Sequence, residues 1–330
     1  MTVPPRAQQS GFLIFQTHIN SMQHWTFLHA CDMQPGSPRS FRFNPRFMEN
    51  WQTALRQLRA MQTDLLLVGG DLTRDGTLHD FEFEAIKNEL AQLQYPSHCI
   101  PGNMDVGNKF SDTEGFAKRD DPSLNATADA LDRFAGFFGE FPWSFVHKNV
   151  RFSGFYAALA GSGLTREERM WTWLEQELPS LPKADHHVMT MHYPLFTGRP
   201  DEPTWDITKK EEYTHWYFSI DEPHRSRIFD AFKLTHVEIV FSGHIHCRRP
   251  AQIFDGIRFY KCAGIGFPQW GNQWEDGDPT LGFYRCEVTD DGIKETFIPL
   301  EHESTAEGAY GPGGHPRPEE RDYSLAWEKD

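Results

Sequence analysis

Residue types that bind metal ions follow several short apolar segments of the chain, each directly after the segment ends. Carboxylate, amide and imidazole side chains of this kind are common protein ligands of Mn, Fe and Zn ions. Because such residues recur after several apolar segments, the sequence predicts a metal site. The candidate ligands are Asp32, Gln34, Asp71, Asn103, His192, His244 and His246.

Each of these residues has an ordinary structural explanation when it is taken alone. An aspartate after a strand usually caps a turn or a helix, and a single histidine is a weak signal. His244 and His246 are more specific, because alternate residues at an extended strand end can face different ions. Independent caps would not assemble such a ligand set, so the pattern as a whole favours a metal centre.

Strand-like and helix-like segments alternate along the chain, which indicates an α/β layered fold. In such sheets, ligands bind beyond the carboxyl ends of the strands, where these clusters stand. The apolar patterns predict strands over 25–30, 64–68, 97–100, 150–155, 187–191 and 237–241, and helices over 47–61, 81–93, 126–138, 166–178 and 223–234. Three later strands, 257–262, 282–288 and 294–299, are expected to form an antiparallel set.

At 330 residues the chain could form one large domain or two average ones, and we expect one domain with loops. The 330 residues are 38% hydrophobic and 14% aromatic, which is ample material for a buried core. Residues 1–22 form a predicted N-terminal extension, either an ordered segment or the result of a start-codon misassignment at Met22. The domain is expected over 23–302, followed by a flexible polar tail over 303–330 that is rich in glycine and proline.

Charge, cysteine content and hydropathy indicate the substrate class, the state of the thiols and the cellular location to expect. A net charge of -15 disfavours nucleic acid and favours a phosphorylated small molecule or a phosphoprotein. Five scattered cysteines without a CxxC pair indicate buried thiols rather than a disulfide framework. No apolar run reaches the ~18 residues of a membrane span, and no signal peptide is evident, so we expect a cytoplasmic protein without membrane contact. The oligomeric state stays open.

The order of the motifs resembles that of the calcineurin-like metallophosphoesterase family. The motifs are Asp-x-Gln at 32–34, Gly-Asp at 70–71, Gly-Asn-x-Asp at 102–105, the single His192 and Gly-His-x-His at 243–246. Gln34, together with Gly107 and Asn108, is most similar to a subgroup that includes members like serine/threonine protein phosphatases.

The resemblance implies a four-layer α/β/β/α sandwich and a site with two divalent or mixed-valence ions, Mn, Fe or Zn. Asp32, Gln34 and His246 would hold one ion, and Asn103, His192 and His244 the other, with Asp71 bridging both. A water activated between the ions would then hydrolyse a phosphomonoester or phosphodiester. Asp71, Asn103 and His192 would be the catalytic core of this site.

Two positions depart from the family pattern. Gln34 replaces the more common histidine, and an amide oxygen is a weaker ligand for zinc-like ions. Met104 stands where the usual motif has a histidine that assists the leaving group, and methionine cannot transfer a proton. Either the substrates have good leaving groups or another acid is recruited. The candidates for that acid are His29, His79 and His215.

Substrate contacts are harder to read from the sequence. Arg39 and Arg42 could reach a phosphate as bidentate donors or could be solvated surface. Asp105 and His215 are further candidates. The long segment 197–221 is either a lid over the site or an ordinary packed loop, and residues 267–271 are either another wall or core. The alternative to a hydrolase is a non-catalytic scaffold of the same fold that binds protein partners.

Overall fold

The computed structural model describes residues 24–268 and 274–307. The predicted N-terminal extension lies outside these residues, as do most of the predicted tail and residues 269–271 of the predicted wall. Two β-sheets pack face to face, and helices cover their other faces. The four-layer α/β/β/α architecture expected from the sequence is therefore confirmed.

The first sheet has the strand order β11-β10-β1-β2-β3. Strands β1, β2 and β3 run parallel to one another. Strand β10 is antiparallel to β1 and forms a hairpin with β11. The carboxyl ends of β1 to β3 therefore lie at one edge of the sheet. The strands are β1 Trp25–Ala30, β2 Leu65–Val68, β3 Ser97–Cys99, β10 Gly282–Thr289 and β11 Gly292–Pro299.

The second sheet has the order β4-β5-β6-β7-β9-β8. Its four inner strands are parallel, and the edge strands β4 and β8 are antiparallel to their neighbours. The strands are β4 Trp143–His147, β5 Val150–Phe155, β6 His186–Met191, β7 Ile239–Ser242, β8 Gln252–Phe254 and β9 Ile257–Lys261.

Helices connect the parallel strands, and local sequence explains where they begin. In α1, the Asn44 side chain accepts the Arg46 N–H, and Pro45 occupies the first turn, where no donor is lost. The helices are α1 Pro45–Ala60, α2 Asp80–Leu90, α3 Asn103–Val106, α4 Ala128–Phe138, α5 Thr165–Thr172, α6 Leu178–Ser180, α7 Lys210–Tyr217 and α8 His224–Leu234. A π-helical turn over Trp173–Glu177 joins α5 to α6.

Alternation along β1 divides the core into two parts. Phe27 points between the sheets and meets Phe152 of β5 with ring centroids 4.9 Å apart. Its neighbour Leu28 packs on the opposite face, in the cluster that contains Trp51 of α1. Both faces of β1 are thus buried, which is typical of strands inside a layered α/β fold.

One predicted sheet arrangement is wrong. Segment 257–262 was expected to form an antiparallel set with the last two strands, but β9 lies in the second sheet, parallel to β7. The crossover from β7 to β9 contains no long helix, because the chain there forms the His244–His246 loop and the short strand β8. Because no long helix separates these strands in the sequence, the pattern resembles that of an antiparallel meander. Strands β4 and β8 and helix α7 were not predicted.

The chain remains in contact with the domain beyond the boundary predicted at residue 302. The Glu303 carboxylate accepts the Leu281 N–H at 2.9 Å, and the Ser304 N–H donates to Asn50 Oδ1 at 2.6 Å. The start of the flexible tail stays a prediction. All five cysteines are buried and free, and no described helix is both long and apolar enough to span a bilayer.

Candidate metal centre

All seven candidate ligands lie together where the carboxyl ends of strands from the two sheets meet. Asp32 follows β1, Asp71 follows β2, and Asn103 begins α3 after β3. From the second sheet, His192 follows β6 and the two remaining histidines follow β7. Six of the seven are at most 5% exposed, and His246 is 7% exposed. The parallel strands of each sheet thus deliver their polar ends to one place.

The carboxylates and histidines form two groups that share Asp71. One group is Asp71, His192 and His244, and the other is Asp32, Asp71 and His246. Within each group the possible ligand atoms lie within 4.8 Å of one another. Asn103 adjoins the first group, with its Oδ1 3.0 Å from His192 Nε2. Such oxygen and nitrogen donor sets fit divalent metal ions.

Backbone carbonyls orient the three histidines. His192 Nδ1 lies 2.9 Å from the Gly69 carbonyl, His244 Nε2 lies 2.9 Å from that of Tyr217, and His246 Nδ1 lies 3.0 Å from that of Phe267. Because a carbonyl only accepts hydrogen bonds, each of these nitrogens carries the proton. The other nitrogen of each ring faces the carboxylates. This is the arrangement that holds metal-ligating histidines in many proteins.

Burial and neighbouring charges shift the pKa of several groups within the centre. Burial raises the pKa of Asp32 well above its usual range. Burial by itself would lower the pKa of His192, but the Asp71 carboxylate 3.3 Å away raises it to about 9. Burial lowers the pKa of His246 to about 4 and that of His244 well below its ordinary value. Two neutral imidazoles therefore stand beside an Asp71–His192 ion pair.

Backbone geometry at the centre is strained. Five of the candidate ligands have positive φ values: Asp32 54°, Gln34 42°, Asp71 54°, His244 70° and His246 48°. Residues other than glycine rarely adopt this conformation, which costs about 1 to 3 kcal/mol at each position. Close packing also explains one glycine, since a Cβ at Gly102 would stand 2.2 Å from Asp71 Oδ1.

Comparison with known protein families matches residues 26–248 to the model described as calcineurin-like phosphoesterase. The chain belongs to the calcineurin-like phosphoesterase family. This membership classes it as a metallophosphoesterase, a hydrolase, and implies divalent metal ions, for which the two ligand groups are the candidates. The family resemblance inferred from the motif order is confirmed.

Curated relatives of this phosphoesterase agree with the family membership. The chain is 26% identical over 177 residues to the serine/threonine-protein phosphatase CPPED1 of Pongo abelii, and 24% identical to that of Homo sapiens. The match covers 52% of this chain and 48% of each relative, so it spans about half the length of the curated relatives.

Among solved structures, the purple acid phosphatase PPD1 from yellow lupin (Lupinus luteus) aligns with a TM-score of 0.57 at 14% identity, covering 86% of this chain and 53% of that one. GAP50 of Plasmodium aligns with a TM-score of 0.54 at 12% identity, covering 86% and 87%. At these identities the likeness shows the fold alone.

In this phosphoesterase, Gln34 does not present its carbonyl oxygen to the other ligands. Its Nε2 donates to Asp71 Oδ2 at 2.6 Å and lies 3.3 Å from His246 Nε2, while its Oε1 accepts from Arg74 at 2.9 Å. Turning the amide over would place its NH2 against the Arg74 guanidinium, donor against donor. Arg74 therefore opposes a ligand role for Gln34, which stays a prediction.

Arg74 is the functional candidate that the sequence analysis missed. It lines the large cavity beside the centre, and its Nε donates to the Arg42 carbonyl. Within the described parts of the chain no carboxylate forms an ion pair with it. Burial lowers its pKa to about 10, so it stays charged at neutral pH. Its position three residues after Asp71, in the same loop, was the available signal.

Tyr217 was also missed, because its role depends on its main chain. It ends α7, within the segment 197–221 that was expected to be either a lid or a packed loop. Its carbonyl holds His244, and its side chain lines the cavity together with Tyr213 and Phe218. The segment is therefore part of the wall of the site, and no side-chain pattern could have shown the carbonyl contact.

The cavity has a volume of about 790 Å³ and opens onto Asp71, Asn103 and His244. Met104 lies in its wall, with its N–H donating to Asp71 Oδ1 at 2.8 Å. Apolar and aromatic groups form much of the remaining lining, notably Val106, Leu124, Ala130 and Tyr213. Arginines 74, 119 and 133 add positive charge.

The three histidines that were candidates for a replacement acid do not line this cavity. His29 is fully buried between the sheets, where its ring stacks on Phe241. His79 accepts the Phe41 N–H at 3.1 Å. His215 stacks on Trp205 and lies 2.8 Å from Thr197 Oγ1.

Of the four predicted substrate contacts, one lines this cavity and three do not. Arg42 lines the cavity but is paired with Asp75 at 2.5 Å. Arg39 lies over the Phe81 ring and, like His215, is not among the lining residues. Asp105 is fully buried and accepts from the backbone of Leu72, Thr73 and Gly102. Its contacts support a role in bracing the Asp71 and Asn103 loops against each other.

Asp120, behind the cavity wall, makes the stability of the domain depend on pH. Burial raises its pKa to about 7, and Asn108 donates to both of its oxygens at 3.1 and 3.2 Å. Unfolded aspartate titrates near 3.9, so between pH 4 and 7 the folded state binds more protons and stability falls as pH rises. Relative to the wild type, Asp120→Asn is expected to gain roughly 2.5 kcal/mol of stability between pH 5 and 7.5.

Urea unfolding of both proteins in chelator at these two pH values measures this difference. Other groups titrate in both proteins and cancel in the comparison. Parallel stability curves for the two proteins would show that Asp120 keeps an ordinary pKa in the folded state.

Proposed function

We propose that this chain hydrolyses phosphomonoesters or phosphodiesters in the cavity, with two divalent ions, Mn, Fe or Zn, at the two ligand groups. The observation that carries the proposal is the pair of buried groups sharing Asp71, each with histidines oriented by carbonyls. Ions held there would supply Lewis acidity and lower the pKa of water at neutral pH.

The residues of the chain have distinct tasks in this reaction. Asp71 balances charge for both groups, while Asn103 and His192 complete one of them. We assign to Arg74 the binding of a phosphoryl oxygen, because it is a half-buried cation beside the ligands and pairs with no carboxylate among the described residues. A guanidinium there would stabilise the negative charge that develops on the phosphoryl group during attack by water.

Within the part of the chain that the structure describes, no histidine other than the candidate ligands lines the cavity to protonate a leaving group. Met104 occupies the wall beside Asn103, with its Sδ 3.5 Å from Asn103 Nδ2, and the three candidate histidines lie elsewhere. The enzyme is therefore expected to prefer esters whose leaving group departs without a proton. Aryl phosphates fit this requirement, and the aromatic and apolar walls of the cavity would accept an aryl or other hydrophobic group.

Met104→His tests this inference directly. The new imidazole is expected to raise kcat/KM on the order of a hundredfold for an alkyl phosphate and to leave an aryl phosphate with an acidic phenol nearly unchanged. Steady-state assays on both substrates measure the ratio, and Met104→Gln is the control for polarity without proton transfer. An equal change on both substrates would mean that proton donation at this position does not limit the reaction.

The proposed activity is tested with protein purified without chelator. Metal analysis is expected to give about two ions per chain at these groups, and activity on a panel of aryl monoesters and diesters should be lost in chelator and restored by Mn, Zn or Fe. Activity that survives complete metal removal would overturn the proposal. The panel also decides between monoesters and diesters.

The substrate class is proposed from two further facts. CPPED1 is named a serine/threonine-protein phosphatase, which supports phosphoproteins, whereas the volume of the cavity suits small phosphorylated molecules equally well. The net charge of -15 supports the expectation that nucleic acid is not a substrate. The cytoplasmic location expected from the sequence stays a prediction.

A non-catalytic scaffold is the second candidate. The fold supports it, since GAP50, which shares this fold, is named as the anchor in the inner membrane complex of Plasmodium. A scaffold has no need of an oriented set of buried ligands, and five of them in strained conformations argue against it. Metal-free protein, inactive on the whole panel, would favour the scaffold.

A further inference from the structure

A second cluster of metal-ligating side chains lies behind the candidate centre, and the proposed hydrolysis does not use it. His29, Cys31 and Cys262 are each at most 2% exposed. His29 and Cys31 stand two residues apart at the end of β1, so their side chains point to the same face. Cys262 follows β9 of the opposite sheet, and the three side chains meet between the sheets.

The spacing of the three groups suits a single ion. The possible ligand atoms of all three lie within 4.8 Å of one another, and His29 Nδ1 is 3.7 Å from Cys262 Sγ. Zinc binds sulfur at about 2.3 Å and imidazole nitrogen at about 2.0 Å, which places these two atoms about 3.5 to 3.8 Å apart at tetrahedral or trigonal angles. The observed separation falls in that range.

The remaining ring nitrogen of His29 already has the partner that a metal-ligating histidine uses. His29 Nε2 lies 3.2 Å from Thr190 Oγ1, and the ring stacks on Phe241 with centroids 4.6 Å apart. Thr190 is fully buried on β6. These contacts hold the ring so that Nδ1 points towards the sulfur atoms, as a second layer of hydrogen bonding does around metal sites.

We propose that His29, Cys31 and Cys262 hold a further ion, a zinc-class cation with affinity for sulfur, in a structural site. On binding, each thiol gives up its proton to solvent and forms a sulfur–metal bond, so that two thiolates neutralise a divalent cation. A neutral complex suits this apolar interior better than an isolated charge. The ion would join β1 to β9, and so fix the loop that carries Asp32 against the second sheet.

This site is independent of the proposed function, because the seven candidate ligands of the hydrolytic centre include no sulfur. The experiment uses full-length protein produced in medium supplemented with Co²⁺, so that the ion is present while the chain folds. Thiolate ligation of Co²⁺ gives an intense near-ultraviolet charge-transfer band that oxygen and nitrogen ligands do not give.

The wild type is expected to show this band, and Cys262→Ser and Cys31→Ser are expected to lose it together with one ion per chain. Cys99→Ala changes a buried cysteine outside the cluster and should keep the band. Asp71→Asn should also keep it while activity is lost, which separates the two sites.

If the serine variants do not fold, X-ray absorption of the zinc-loaded wild type provides the same information. A sulfur shell at about 2.3 Å around part of the zinc is expected. A spectrum with only oxygen and nitrogen scatterers, or no band in the cobalt protein, would overturn the proposal. So would a Cys31–Cys262 disulfide, seen by mass spectrometry as a chain two hydrogen atoms lighter than the fully reduced one.

Discussion

Replacing Asp71 by asparagine is expected to lower kcat/KM on the order of 10³-fold or more while the protein stays folded. The carboxylate belongs to both ligand groups, so the change removes negative charge from each of them. Ions held there would supply several kcal/mol of transition-state stabilisation, and each 1.4 kcal/mol is a factor of ten in rate. Assays at saturating Mn measure the loss, and metal analysis should find fewer than two ions per chain at this centre.

Asp129 is the matched control for this variant. It lines the same cavity but is exposed in the first turn of α4 and belongs to neither ligand group. Asp129→Asn should therefore change kcat/KM by less than about threefold, since it removes only an exposed charge. Full turnover of Asp71→Asn under conditions matched for metal would show that the ligand assignment is wrong.

Arg74→Met is expected to reduce kcat/KM on the order of 10³-fold, with both a lower kcat and a weaker affinity for substrate. Methionine fills a similar volume but cannot donate to a phosphoryl oxygen, and the loss of one such charged donor commonly has an effect of this size. Inhibition by inorganic phosphate, the product of a monoester, should weaken in parallel. Arg74→Lys should recover part of the activity, because it keeps the charge without the planar donor pair.

The control for Arg74 is Arg133→Met, which also removes a cavity arginine. Arg133 is paired with Asp80 and with the carbonyls of Gly76 and Thr77, so its substitution should cost less than about tenfold. Since Arg74 also holds Gln34, the double variant with Gln34→Ala separates the two roles. If Arg74→Met has no further effect in the Gln34→Ala background, Arg74 acts through Gln34 and does not bind the phosphate.

The sequence predicted that the candidate ligands lie together, because one rule places them. Parallel strands deliver their carboxyl ends to the same edge, so Asp32, Asp71 and Asn103 had to approach one another once β1, β2 and β3 were recognised. The same rule applies to His192 and His244 in the second sheet. Apolar runs such as that of β1 are long enough to be read without any knowledge of tertiary contacts.

The parts that could not be predicted depend on contacts between distant segments. The side-chain carbonyl oxygen of Gln34 accepts from Arg74, and the carbonyl of Tyr217 reaches His244 across 27 residues. Spacing in the sequence carries no record of either contact. Asp105 follows the family motif like a ligand, but it accepts hydrogen bonds from three backbone amides and the Thr73 hydroxyl. Its role became visible only with its neighbours.

Positive φ values at Gln34, His244 and His246 have a consequence for any attempt to evolve a more heat-resistant form of this protein. Glycine adopts such backbone angles without the steric penalty, so a screen for survival at high temperature in chelator would favour glycine at these positions. The selected variants would be more stable but inactive, because glycine would have replaced side chains of the candidate metal centre and relieved the backbone strain. A screen that includes Mn and selects for turnover should instead preserve these residues and yield stabilising substitutions at other positions.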